Sequence, residues 1–284
     1  MRINRYLASA GLGSRRSCEA LVLSGAVRVN SHVAQLATVV AESDRVTVNG
    51  RPVEAEPRKV LALHKPKGFI CSREDLAQRK TIFYLLPHSG PRLFYVGRLD
   101  MDSEGLLIVT NDGDLCQSIS HPAKKVPKTY EVGLTPAFDA ALIPKLTKGF
   151  MIEPGQARMD SVEILNPYLL RVVLSQGLKR QIRLMFGKLG FRVKHLKRTH
   201  IGGLELGTLR PGEFRSLNAR DLKRIYEPAR PPVRARPKRE DQTLTVARRS
   251  GTRKYSPRTL AHRDTPKNET HHGPQKKRRS APRR

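Results

Sequence analysis

Asp100 and Arg98 stand two residues apart in the run Gly97-Arg98-Leu99-Asp100-Met101-Asp102-Ser103-Glu104-Gly105. One apolar stretch, Leu93 to Val96, ends just before this run, and a second, Leu106 to Val109, follows it. Two strands joined by such a charged, glycine-bracketed corner would hold a reactive Asp on a rigid support, and loops fixed by a scaffold commonly carry function. A carboxylate held this way can act as nucleophile or general base if it stays ionised. Capping the turn is the plainer role for Asp100. Arg183, in Arg180-Gln181-Ile182-Arg183, lies in a segment of helical periodicity. A guanidinium within a few ångströms of a carboxylate favours its charged form, whereas an Arg on a solvated helix face does nothing of the kind. Tyr130, in Lys128-Thr129-Tyr130, is either strand core or a platform on which a base can stack.

The elements that must position these residues read as three segments. Residues 1–48 open with Ile3, Leu7 and Ala10 at helical spacing, stopped by Gly11-Leu12-Gly13. Ser14 is a suitable N-cap for a second helix, Arg15 to Ser24, which Gly25 ends. Short strands are predicted at Val27–Val29 and 44–48, the latter closed by the turn pair Asn49-Gly50. Residues 49–59 serve as a linker. Residues 60–228 alternate strands (60–63, 129–132, 169–174, 191–196, 213–217) with helices (114–120, 137–148, 179–189). That irregular interleaving predicts an α+β domain on a mixed sheet, not a doubly wound one.

The third segment, 229–284, holds 18 Lys and Arg against 4 Asp and Glu, with 7 prolines. It carries too few large apolar side chains to offset chain entropy and is expected to be disordered. It accounts for +14 of a net charge of +29. A surplus of this size points to a polyanionic partner, because phosphate contacts release condensed counterions. No apolar run reaches the 18 or so residues of a spanning helix, so no membrane partner and a soluble, cytoplasmic protein are expected. Three widely separated cysteines, Cys18, Cys71 and Cys116, form no metal or redox pair. His64, His121, His195 and His200 have no nucleophile beside them. Neither a metal nor a cofactor is expected.

Two resemblances sharpen this reading. Residues Arg2-Ile3-Asn4-Arg5-Tyr6-Leu7-Ala8, Gly11, Ser14-Arg15-Arg16 and Gly25-Ala26-Val27-Arg28-Val29-Asn30 resemble the S4 RNA-binding domain. By that resemblance Arg2, Arg5, Arg15, Arg16 and Arg28 would track phosphates. The run from Gly97 to Gly113, the Lys128-Thr129-Tyr130 triplet and Gln176 to Arg183 resemble the motifs of the RsuA-like ribosomal RNA pseudouridine synthases. The resemblance spans residues 1–227. It implies a mainly antiparallel catalytic sheet and a cofactor-free isomerisation of uridine. It makes Asp100 the catalytic carboxylate, Tyr130 the platform beneath the uracil, and Arg183 the cation paired with Asp100. Leu184 would wall the base pocket. Arg98 would fill the gap left by the flipped nucleotide or bind its phosphate, and Lys179 and Arg180 would contact RNA. The stretch from Gln176 through Thr199 looks closest to the RluF-like members acting on 23S ribosomal RNA, although members acting on 16S RNA share most motifs. Lys179 departs from the Asn more common in that branch. The expected partner is ribosomal RNA, with no protein partner and a monomeric chain. The rival reading is a noncatalytic S4-domain RNA-binding or ribosome-assembly protein.

Overall fold

In the computed structural model the described residues are 1–73, 77–87 and 89–229. All but the first residue of the basic tail at 229–284 therefore lies outside them. The N-terminal module consists of helices α1 (Ile3–Ser9) and α2 (Arg15–Leu23) packed on strands β1 (Val27–Val29), β2 (His32–Val33), β3 (Val46–Val48) and β4 (Arg51–Pro52). The strands lie in the order β2-β1-β3-β4. Ser14 caps α2 as predicted, its hydroxyl accepting from the Ser17 amide at 3.1 Å. Ile3, Leu7, Cys18, Val22, Val27 and Val46 form the small core.

The larger module begins with β5 (Val60–Lys65), β6 (Phe94–Val96) and β7 (Glu104–Thr110), then α3 (Gly113–Ser120) and β8 (Lys128–Thr135). Helix α4 (Ile143–Lys148) and the hairpin β9 (Phe150–Ile152) and β10 (Gly155–Ala157) follow. The chain continues through β11 (Ser161–Asn166), β12 (Leu169–Leu174), α5 (Gln181–Lys188) and β13 (Arg192–Ile201), and then β14 (Leu204–Glu205), β15 (Phe214–Ser216) and α6 (Ala219–Arg224). The main sheet runs β11-β12-β8-β13-β7-β5-β15, with β6 also pairing β7 and β14 pairing β13. Its pairings are antiparallel except for β7 beside β13, which run parallel. This is the mixed, mainly antiparallel α+β sheet expected. The parallel seam places the loop entering β7 against the middle of β13.

Helix α5 is held by burial of Ile182, Met185 and Phe186. Each such side chain removed from water contributes about 2 kcal/mol. Phe186 meets Phe138 and Phe191 edge-on, at ring separations of 6.1 and 6.3 Å. That packing fixes the rotation of α5 and therefore the direction in which Arg183 leaves it.

Several element boundaries differ from the sequence expectation. The helix predicted at 137–148 is a 3-10 turn, Ala140–Leu142, followed by α4. Pro144 fits only a first helical turn, and Asp139 caps the preceding turn by accepting from the Ala141 amide at 2.9 Å. The helix predicted from Lys179 starts at Gln181, because Arg180 adopts a left-handed backbone (φ 54°). The strand predicted at 191–196 extends to Ile201. Its polar second half hid it, since Lys197, Arg198 and His200 break the apolar pattern.

Candidate active site

The corner between β6 and β7 is built as the sequence suggested. Val96 pairs with Ile108 and Phe94 with Thr110, so the chain leaves β6, turns through residues 97–103 and returns along β7. Asp100 lies at this corner with its side chain 30% exposed. Met101 and Asp102 beside it are exposed, while Ser103 is buried.

Beneath the corner sits a residue the sequence reading passed over. Lys65 ends β5 with no solvent exposure. Its ammonium donates to the carbonyls of Asp100 (2.9 Å), Ser103 (2.7 Å) and Pro66 (3.0 Å). An ammonium has three donors, and here each finds a main-chain oxygen. Burial pushes the Lys65 ammonium down to about 8, partly countered by nearby Cys71, Asp100 and Asp102. The signal available in the sequence was a lysine closing an otherwise apolar strand, Val60-Leu61-Ala62-Leu63-His64-Lys65.

Arg183 reaches the corner from α5, but it does not meet Asp100. Its Nε lies 3.1 Å from Asp102 Oδ2. Its Nη2 donates to the Asp102 carbonyl at 3.0 Å, and its Nη1 to the Val193 carbonyl at 3.1 Å. The cation facing Asp100 is Arg180, with Nη1 3.9 Å from Asp100 Oδ2 and Nη2 3.4 Å from Asp102 Oδ2. The expected Asp100–Arg183 pair is thus replaced by Asp102–Arg183, with Arg180 spanning both carboxylates. The cause is the left-handed residue ahead of α5. It lifts Arg180 over the loop, while Arg183, within the first helical turn, is tied to β13 at Val193.

Tyr130 enters from β8, half-buried against the cluster that holds α5. Its place is set by a row of register partners across five strands: Val172, Tyr130, Arg198, Gly105 and Lys65. With strands about 4.8 Å apart, the row connects the proposed platform to the foot of the Asp100 loop. Gly105 is required there. It has φ +114°, and a Cβ on it would stand 2.2 Å from the Arg198 carbonyl oxygen. Leu184 is half-buried against the same apolar cluster as Tyr130. Arg98 and Lys179 are exposed.

A buried basic floor, a carboxylate on a pinned corner, arginines above it and an aromatic ring along the same sheet row form a constellation suited to work on a charged, planar substrate. Comparison with known proteins agrees. Residues 59–188 match the RNA pseudouridylate synthase family profile, and residues 1–46 match the S4 domain. A protein of Aquifex aeolicus described as an uncharacterized RNA pseudouridine synthase is 37% identical over 237 residues, covering 80% of this chain and 94% of that one. The chain belongs to the RNA pseudouridylate synthase family. Ribosomal large subunit pseudouridine synthase B of Bacillus subtilis is 33% identical over 231 residues, covering 79% of this chain and 95% of that protein. The same-named protein of Xylella fastidiosa is 36% identical over 219 residues, covering 72% of this chain but only 46% of its own length. A crystal structure of a pseudouridylate synthase aligns with a TM-score of 0.58 at 25% identity, covering 79% of this chain and 99% of that one.

In this synthase the S4 arginines are divided between two surroundings. Arg2, Arg5 and Arg15 line a cleft of about 640 Å³ together with Phe94, Gly113 and Cys116. Arg5 is ion-paired with Asp114 at the start of α3. Arg16 is exposed, and exposed Arg28 donates to the Ser31 carbonyl at 2.8 Å. His64 is buried, with Nδ1 2.8 Å from the Leu209 carbonyl oxygen. His195 lies 2.9 Å from the Lys67 ammonium at the surface. Among the described residues no helix is long and apolar enough to cross a membrane.

Proposed function

We propose that this synthase converts one or a few uridines of ribosomal RNA, in the large-subunit RNA, to pseudouridine. Asp100 is the reacting carboxylate, Tyr130 the platform beneath the uracil, and Arg183 and Arg180 the cations that order the loop. The reaction breaks the N1–C1′ bond, turns the uracil and forms C5–C1′. The proton leaves C5, and N1 ends protonated. No cofactor enters this balance. The target uridine must leave its stack for the carboxylate to reach it.

The observation that carries this reading is the mounting of Asp100. Its backbone is held from below by a fully buried ammonium, and its carboxylate remains 30% exposed and faces a guanidinium. A structural turn-capping Asp would spend its oxygens on nearby amides. Among the described residues no such bond reaches the Asp100 side chain.

The names of the relatives support a ribosomal, large-subunit substrate, and the net charge of +29 supports a polyanionic one. Arg2, Arg5, Arg15, Arg16, Arg28, Lys179 and Arg98 contribute phosphate contacts, and Leu184 walls the base pocket. The enzyme acts as a cytoplasmic monomer, with the basic tail as a nonspecific RNA-binding arm.

Release of tritium from RNA labelled at uracil C5 tests the assignment. The Asp100→Asn variant is expected to release none above background while binding RNA as tightly as wild type. Release at the wild-type rate would remove Asp100 from the chemistry.

A further inference from the structure

Arg198 lies in β13, past the residues matched by the synthase profile, and is 3% exposed. Its Nε donates to the Leu106 carbonyl at 2.7 Å, and its Nη1 to the Arg98 carbonyl at 3.4 Å. These two acceptors flank the Asp100 loop, one before it and one after. The guanidinium therefore bridges the two ends of the segment on which the carboxylate rides.

The bridge is incomplete. The Nη1 contact is long for a hydrogen bond, which weakens with distance. The Nη2 atom is buried and has no partner. A buried donor left unfilled is costly, and such groups are rare enough to need an explanation. The surroundings make the position more demanding. Arg198 pairs in register with Gly105, whose missing side chain alone permits so close an approach. Two further cations, Lys65 and Lys128, lie near enough for the Arg198 charge to act on both.

We propose that Arg198 is a positioning residue of this synthase: its guanidinium closes on the Arg98–Leu106 segment as the target uridine enters, and so fixes Asp100 against the base. The inference rests on the assignment of Asp100 made above. On closure the long Arg98 contact shortens and Nη2 takes a carbonyl of the loop. Closure lies near balance with the cost of extruding the uridine, so it changes the fraction of bound RNA aligned for reaction more than the overall Kd. A lysine at this position can reach one end of the loop but not both, because it lacks the planar fork.

Arg198→Lys and Arg198→Met test the proposal in three measurements. The single-turnover rate at saturating enzyme is expected to fall at least 10-fold for Arg198→Lys and at least 100-fold for Arg198→Met, with the RNA Kd within twofold of wild type. Amide hydrogen exchange at residues 98–106, measured in an Asp100→Asn background so that the RNA stays unconverted, is expected to slow on RNA binding. Adding Arg198→Lys to that background should abolish the slowing. A wild-type rate in Arg198→Lys, a loss of RNA affinity as large as the loss of rate, or equal slowing of exchange with and without Arg198 would each overturn the clamp. Should Arg198→Met fail to fold, Arg198→Lys alone decides, since it keeps the buried charge. Full activity of Asp100→Asn would instead sink the assignment of Asp100, while the rate and RNA Kd of Arg198→Lys in the otherwise wild-type chain would still judge Arg198.

Discussion

Lys65 gives the site an unusual dependence on pH, in which stability and activity move in opposite directions. The Lys65 ammonium falls from 10.5 to about 8 in the folded chain. Between those values the unfolded chain holds a proton that the folded chain has lost. Stability therefore rises with pH across the interval, and below about 8 the cost of the buried charge is fully present. Each tenfold change in proton affinity is worth about 1.4 kcal/mol, so the whole effect is about 3 kcal/mol. Lys128 is also pushed down to about 8 by burial and by Arg198, while burial moves Cys18, Cys116 and Tyr6 up. None of these groups is among the charges that act on Lys65, so comparison with Lys65→Met cancels them, leaving Lys65 and the Cys71 thiol coupled to it. Urea unfolding from pH 7 to pH 10.5 without RNA should show wild type gaining about 3 kcal/mol on the variant. Over the same range the wild-type single-turnover rate should fall above pH 8, because a neutral amine has two donors for three carbonyls. A flat stability difference would refute the reasoning, and so would a rate that climbs through pH 9.

Two further substitutions examine the frame around Asp100. Asp102→Asn removes the charge facing Arg183 and Arg180; the partners are partly exposed, so the stability loss should be about 1 kcal/mol or less. The Arg183 bonds to the two carbonyls should persist, and the single-turnover rate should drop about 10-fold with RNA affinity held, as read by stopped reactions and filter binding. Gly105→Ala forces a Cβ onto the Arg198 backbone at a strongly positive φ. It should cost at least about 2 kcal/mol in thermal melts, whereas Gly113→Ala, with open space around its Cβ position, should cost far less.

The apolar runs on either side of Gly97 to Gly105 were enough to place the two strands and the corner, because alternation and glycine punctuation are local signals. Helix α2, with its Ser14 cap, was legible for the same reason. The partners of Asp100 were not. Which arginine of Arg180-Gln181-Ile182-Arg183 faces which carboxylate depends on where α5 begins, and that turns on one left-handed residue with no glycine to mark it. Lys65 and Arg198 escaped notice because charged residues in strands ordinarily lie on the solvent face. Their burial follows from long-range register, Lys65 against Gly105 and Gly105 against Arg198, which no sequence window contains. The second half of β13 was lost for the same reason, since Arg198 bonds to the carbonyls of Arg98 and Leu106, far away in the chain.

The division of charge at the site argues for which carboxylate reacts. The two buried cations, Lys65 and Arg198, donate only to main-chain carbonyls and take no carboxylate among the described residues. Had either paired with Asp100, the carboxylate would have been drawn into the floor and closed to substrate. Carbonyl dipoles instead hold the buried charge, and the loop is fixed by its backbone while its acidic side chains stay outside. Of those, Asp102 is tied to Arg183, which is only 13% exposed and is anchored at two carbonyls. Asp100 faces Arg180, which is 44% exposed, 3.9 Å away and free of such anchors among the described bonds. An exposed pair of this kind is worth little and can part when RNA phosphates compete for the guanidinium. On the proposed reading the fixed pair walls the loop, and the labile pair is the one that opens. This supports the proposed role of Asp100, the carboxylate that can be released to a uridine without dismantling its own support.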